Sequence, residues 1–334
     1  MLETIQALSA LTAPSGWEDQ ARSYVEQQAR KLGHSAHRDR LGNLLVTVKG
    51  EAEPADPILL AAYFDEPGFM VESVTDEGLL KFGLTGDTSV RTLLGRRVQA
   101  GDEFLPGVIG LKPIHLTTQE ERKTLPKVKD LYIDIGMENK KAAEAHIQKG
   151  ELGVFAEPFR VFPHNRLLGK AMGRAAGCAI LLALMEKKLP VTVTMAFTLQ
   201  HYVGSRGAYG VGNALSMAQT VVLDLTPGDS RGEKLPQLGQ GPVIPRMDQK
   251  AIFDAGLTER LRTAARKAGI PMQPAAQSES TSDGGVFQQS GGGRPVAAVL
   301  CPANYLDAPT QMVALEDIEN TAQLLLAFLE ESKL

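Results

Sequence analysis

The chain has 334 residues, 43% hydrophobic, 22% charged and 5% aromatic, with 35 Lys and Arg against 39 Asp and Glu for a formal net charge of −4. That apolar share excludes a mainly disordered chain, and the acidic balance argues against a nucleic-acid partner, which demands a basic face. No apolar run reaches the ~18 residues that a membrane span needs. At roughly 100–200 residues per domain, the length fits two domains or one large α/β domain with an insertion. The opening MLETIQALSALTAPSG carries Glu3 and no basic run, so no secretion signal is expected. Cys178 and Cys301 sit in apolar runs and read as buried thiols of a cytoplasmic chain, not as a bridge.

In chain order, Ser15 is the expected N-cap of a helix from about Trp17 to Leu32, with Trp17, Ala21, Tyr24, Val25 and Leu32 on one face and Gly33 closing it. Asn43 to Val48 and Ile58 to Phe64 are short, nearly continuous apolar runs, as strands covered on both faces require. From Phe69 to about Phe162, strand-like pieces alternate with Gly, Asp and Pro turns, and Asn139 to Lys149 is the one helical stretch. This predicts a β-rich insert over 69–162, set into an α/β domain of residues 1–68 and 163–334. The α/β alternation resumes with a helix at about Ala175 to Lys187, the strand Val191 to Leu199, a helix near Ala208 to Ala218 and the strand Thr220 to Leu225. A helix at about Phe253 to Ala268, the strand Val296 to Leu300 and an amphipathic helix near Leu315 to Glu330 complete it. The pattern implies a mainly parallel, doubly wound sheet. Gln277 to Arg294, rich in Ser and Gly, is expected to form an active-site loop.

In such a sheet, ligands bind beyond the carboxyl ends of the strands. Those ends offer Asp65 and Glu66, then Gln200, His201 and Tyr202, then Asp224, and Asp307 shortly after the last strand. No GxSxG elbow, Walker A loop or HExxH helix is present. GVGNAL lacks dinucleotide-loop spacing, and of the six His only His201 follows a core strand.

Ten or so segments then carry a resemblance over nearly the whole chain. They include APSGWE (Ala13 to Glu18), DRLGNLL (Asp39 to Leu45), FDEPGFMVESV (Phe64 to Val74), GKAMGRAAGC (Gly169 to Cys178), VGSRGAYG (Val203 to Gly210) and PANYLDAP (Pro302 to Pro309). The chain resembles the tetrahedral (TET) metallo-aminopeptidases, the group of glutamyl, deblocking and FrvX-like aminopeptidases. The resemblance implies an α/β peptidase domain of zinc-exopeptidase type, an inserted β-barrel-like domain, and homo-oligomers built from dimers, up to a dodecamer. It also implies release of N-terminal residues from peptides by two metal ions and a carboxylate base.

Matched residue by residue, the resemblance puts the family's first ligand histidine at Tyr63, with its orienting aspartate retained as Asp65. The bridging aspartate falls on Gly173, and the polar residue after it is Arg174. The glutamate base and the glutamate ligand fall on His201 and Tyr202. Asp224 keeps a ligand aspartate, and the last ligand histidine falls on Asp307. These residues, with Asp283, are the expected lining of the cleft. Tyrosine, with a reference pKa near 10, is a poor ligand for zinc or cobalt at neutral pH, and a glycine offers no side chain.

The expectation is a homologue without the dinuclear site and without a cofactor, in which Arg174 and His201 pair with Asp65, Asp224 and Asp307 in place of the metals' charge. The alternative is one divalent ion (zinc, cobalt or manganese) on His201, Asp224 and Asp307. Two functions follow: a scaffold, regulatory subunit or binder of peptides and small molecules, or a hydrolase with a remodelled site.

Overall fold

The computed structural model describes residues 1–229, 236–276, 278 and 280–333. Helices α1 (Leu2–Ala10) and α2 (Asp19–Lys31) lead into β1 (Ala36–Arg38), β2 (Leu44–Val48) and β3 (Ile58–Tyr63). Six strands follow: β4 (Gly68–Val74), β5 (Leu80–Thr85), β6 (Arg97–Ala100), β7 (Leu105–Leu111), β8 (Leu131–Asp134) and, after α3 (Lys140–Glu144), β9 (Leu152–Phe155). They close into a barrel in the order β4-β5-β8-β7-β6-β9, filled by its own cluster that includes Phe69, Phe82, Val98, Ile133 and Phe155. Closure removes the open edges that so many short strands would otherwise expose.

The chain then returns through β10 (Arg160–Phe162), β11 (Arg166–Gly169), α4 (Met172–Met185), β12 (Val193–Thr198), α5 (Arg206–Ala214), β13 (Gln219–Pro227) and β14 (Val243–Pro245). It ends with α6 (Ala255–Lys267), β15 (Gln273–Ala275), α7 (Gly284–Gln289), β16 (Val296–Asn304), β17 (Gln311–Ala314) and α8 (Leu315–Glu331). The large sheet has the order β1-β2-β12-β3-β13-β16-β17-β11-β10. Its centre, β12-β3-β13-β16, is parallel, and antiparallel strands flank it. The mixed α/β class with a parallel core is as the alternation predicts, and the barrel is as the resemblance implies.

Side chains alternate across a strand, so each central strand feeds two cores. Ile58, Leu60 and Ala62 of β3 enter the cluster that includes residues of α1, α2, α4, α6 and α8. Leu59 and Ala61 enter the opposite one, with Ala208 and Val211 of α5 and Phe287 of α7. Both cysteines are free and buried.

Several local expectations shift. The Ser15 hydroxyl does not cap α2; it donates to Asp65 Oδ2 at 2.6 Å, and the helix starts four residues later. Helix α3 ends at Glu144, five residues short of Lys149, with the Asn139 side chain accepting from the Ala142 amide. Within the Ser/Gly segment, Gln277 and Glu279 lie outside the described residues, and much of the remainder folds as α7 rather than as a loop.

Candidate functional site

Parallel pairing sets Tyr63, the last residue of β3, beside Thr198, the last residue of β12, and Asp224 beside Leu300 of β16. The strand ends therefore open on one rim. Asp65 ties two of them together: its Oδ1 accepts from the His201 amide and its Oδ2 from the Tyr202 amide, both at 3.0 Å. His201 and Tyr202 ride on a turn bracketed by Gln200 and Ser205, both at φ +54°, a conformation that costs non-glycine residues energy and is held only by surrounding structure. Glu18, whose carboxyl is raised by burial, holds the same turn by accepting from the Gln200 amide at 3.1 Å.

Three rings line the floor. Tyr63 stacks on His201 with centroids 4.0 Å apart and planes 7° apart, and Tyr202 stands edge-on to both. The Tyr63 hydroxyl donates to Asp224 Oδ1 at 2.9 Å. His201 Nδ1 lies 2.7 Å from Asp283 Oδ1, and its Nε2 lies 3.8 Å from Asp224 Oδ2. Asp283 stands at the start of α7 without capping it, so its carboxylate serves His201 and accepts from the Thr198 hydroxyl at 3.0 Å.

The electrostatics follow from burial and these pairings. Burial disfavours the His201 imidazolium, but Asp283, Asp224 and Asp65 outweigh it and lift the pKa to about 9. Burial raises Asp224 to about 6 against the pull of His201. Asp283 ends below the usual carboxylate range because His201 overcomes its burial. Burial, then the Asp224 charge, pushes the Tyr63 phenol well above 10. At neutral pH the floor thus holds a cationic imidazole between two carboxylates and two neutral phenols.

Tyr63, His201, Tyr202, Asp224 and Asp307 line one cleft of about 620 Å³. Asp307 is at its exposed rim, and its carbonyl accepts from Ser89 of the barrel-side loop at 2.8 Å. Asp65 and Asp283 are buried behind the floor. The cleft also takes in Asp87, Lys250 and Tyr305. The strand-end argument did not single these out: Asp87 and Lys250 come from loops away from the strand ends it used, and Tyr305, directly after β16, was passed over for Asp307.

Arg174 departs from expectation. It is fully buried and turned away from the three aspartates; it bonds Glu66 Oε1 at 3.2 Å and the carbonyls of Phe64, Leu8 and Leu11. Lys170 bonds both Glu66 oxygens at 2.9 Å. Adjacent helical residues diverge by about 100°, and here Gly173 faces the cleft floor while Arg174 faces α1.

Gly173 lies directly under Tyr63. A Cβ built there would come closer than 3.0 Å to the Tyr63 hydroxyl and meet the ring carbon that bears it at 3.0 Å. Glycine at 173 and a phenol at 63 therefore fit each other. Among the described residues, no group of three or more His, Cys, Asp or Glu is placed to hold a metal ion.

Comparison with known proteins places the fold. The family described as M42 glutamyl aminopeptidase matches residues 42–324. The glutamyl aminopeptidase of Lactococcus lactis subsp. cremoris is 27% identical over 329 residues, covering 95% of this chain and 92% of its own. The TET aminopeptidase of Thaumarchaeota archaeon SCGC AB-539-E09 superposes with a TM-score of 0.93 at 27% identity, covering 98% of this chain and 96% of its own. The TET1 peptidase of Pyrococcus horikoshii, which assembles into a tetrahedron or a large octahedral shell, gives 0.86 at 28% identity with 98% of both chains covered. The chain belongs to the M42 glutamyl aminopeptidase family.

Proposed function

We infer that this chain is an M42 homologue in which a hydrogen-bonded organic cluster stands where its relatives would hold metal, and that it binds a peptide or small molecule without peptidase turnover. The observation that carries this reading is the fit of Tyr63 to Gly173. A side chain bridging two cations from position 173 would collide with the Tyr63 hydroxyl, and without that bridge two dications a few ångströms apart repel strongly. The residues present do not fit the metal pair: Tyr63 and Tyr202 are neutral phenols, and one oxygen of Asp224 accepts from Tyr63. In the cluster of rings and carboxylates the positive charge comes from His201, held by Asp283 and Asp224. Arg174 has no part in it.

A role as scaffold, regulatory subunit or ligand-binding protein follows, in a cytoplasmic homo-oligomer of the kind its TET relatives form, with no nucleic-acid or membrane partner. Among the described residues no helix is long and apolar enough to cross a membrane.

A second reading, a hydrolase with a mononuclear or metal-free site, is favoured by His201 presenting a protonated ring at an open cleft. The test separates the two. Purified protein is assayed for zinc, cobalt and manganese and then offered a panel of aminoacyl-nitroanilides with and without added metal. The proposal expects far less than one metal per chain and no turnover. One bound metal per chain with turnover abolished by a chelator overturns it, and turnover without metal favours the second reading.

A further inference from the structure

At the cleft floor a donor and an acceptor stand side by side, each without a hydrogen bond. His201 gives its Nδ1 proton to Asp283. Against the cost of burial, the carboxylates of Asp283, Asp224 and Asp65 keep both ring protons in place, so Nε2 is a donor. Asp224 Oδ2 lies 3.8 Å from it, beyond hydrogen-bond reach. The other oxygen, Oδ1, accepts from the Tyr63 hydroxyl at 2.9 Å and the Leu225 amide at 2.7 Å, and among the described residues Oδ2 accepts from nothing. Both side chains line the cleft and are more than nine-tenths buried. Neither atom is sealed in, because the enclosed side-chain atoms without partners lie elsewhere, Thr85, Thr88 and Asn304 among them. A donor and an acceptor in this state call for a ligand that supplies both partners.

Their charges exclude simple ions. An ammonium group on Oδ2 would lie against the imidazolium, and a carboxylate on Nε2 would lie against Oδ2. A neutral group serves both atoms only if its acceptor and its donor point the same way. The trans peptide unit fails, because its C=O and N–H point in opposite directions. A single hydroxyl serves them poorly: with bonds of about 2.8 Å across 3.8 Å, both would meet at its oxygen at about 85°, narrower than a tetrahedral atom favours. A primary carboxamide or a cyclic amide succeeds. Its oxygen and syn N–H nitrogen are about 2.3 Å apart, so two bonds of about 2.9 Å splay only slightly to reach Nε2 and Oδ2.

We propose that the cleft recognises its ligand by the edge of a primary carboxamide or lactam, whose carbonyl accepts from His201 Nε2 and whose syn N–H donates to Asp224 Oδ2. The cleft volume of about 620 Å³ leaves room for the body that carries the amide. This names the ligand class of the site described under the proposed function and rests on that site being free of metal.

Thermal unfolding of the full chain at pH 7 tests the pair with 2-pyrrolidinone against N-methyl-2-pyrrolidinone, which keeps the carbonyl and loses the N–H. The lactam is expected to raise the melting temperature at a concentration at least tenfold below that of its N-methyl form. Asp224→Asn, which keeps the shape and puts an amide at Oδ2, is expected to abolish that preference. The two lactams decide the matter in the wild type alone if the variant fails to fold. Propionamide acting at a lower concentration than 2-pyrrolidinone assigns the site to open carboxamides, and the reverse order to cyclic ones. Equal potency of the two lactams in the wild type, no response to either amide at 100 mM, or a stronger response to acetate, methylammonium or 1-propanol overturns the proposal. The same sample is assayed for zinc, cobalt and manganese: one metal per chain overturns the metal-free reading itself, whereas metal-free protein without the lactam preference overturns the carboxamide assignment alone.

Discussion

Asp65 and Glu66 are neighbours in sequence and serve opposite ends. Glu66 points into the protein, where Lys170, Arg174 and the Ala13 amide converge on its two oxygens. Asp65 accepts from one hydroxyl and two backbone amides and, among the described residues, forms no ion pair. Its charge acts on the His201 ring, which is flanked by two further carboxylates and faces an open cleft. The first cluster is the more enclosed: Arg174 and Glu66 are buried, Lys170 borders a separate cavity of about 700 Å³, and the charges hold α1, the strand-end loop and α4 together. The second is stacked against rings and open on one side, which is where a ligand can act. Buried charge in this molecule is thus divided between holding the rim and equipping it.

The largest effect expected from that division is on the enclosed side. Glu66→Ala leaves two buried cations without their counter-ion, and breaking a buried pair in this way costs about 3–5 kcal/mol, read by urea denaturation. The His201 pKa, followed by NMR of the ring protons, should stay where it is. A shift of a whole unit would mean that the two clusters are one network and that the comparison fails.

Next comes the open side, through pH. The folded His201 pKa of about 9 lies above the unfolded value of 6.5, so its contribution is fully present below pH 6.5 and is lost as pH rises through 9. At 1.36 kcal/mol per unit, that is on the order of 3 kcal/mol. Asp224, raised to about 6, titrates below this window. Stability measured from pH 7.5 to 10 should therefore fall in the wild type and fall less in His201→Gln, where Asp224, freed of the imidazolium's pull, gives up its own contribution at higher pH than before. A wild-type curve without that slope would show that the imidazolium is not held by its carboxylates.

Much of the scaffold was legible because strand periodicity and burial are local properties. The runs at Ile58 and Val191 became β3 and β12 to within a residue or two, and β3, buried along its whole length, reads as continuous apolar sequence. The convergence of His201, Tyr202 and Asp224 followed from the rule for strand ends, and Tyr63 entered through the resemblance. What sequence could not express was direction and distance. Ser15 has the composition of a helix cap, but its hydroxyl is taken by a carboxylate fifty residues away. Arg174 lies beside a cleft residue in sequence and on another side of the helix in space. Asp87 and Lys250 reach the cleft on loops that carry no motif.

The smallest expected effect is the most informative, because it isolates the Tyr63–Gly173 fit. Gly173→Ala places a methyl group against the Tyr63 hydroxyl, and overpacking of this kind costs about 1–3 kcal/mol. Tyr63→Phe gives up the hydrogen bond to Asp224, worth about 0.5–1.5 kcal/mol with more for a charged acceptor, yet it also removes the nearest atom of the clash. The double variant should therefore be more stable than the sum of the single changes predicts, with a coupling of about 0.5–2 kcal/mol. Additive costs would mean that α4 and β3 move apart at no expense. Position 173 could then accept a carboxylate beside Tyr63, and the strongest physical objection to a metal pair would be gone. Coupling of the expected sign would instead make glycine and tyrosine a single structural decision, with neither residue open to reversal alone.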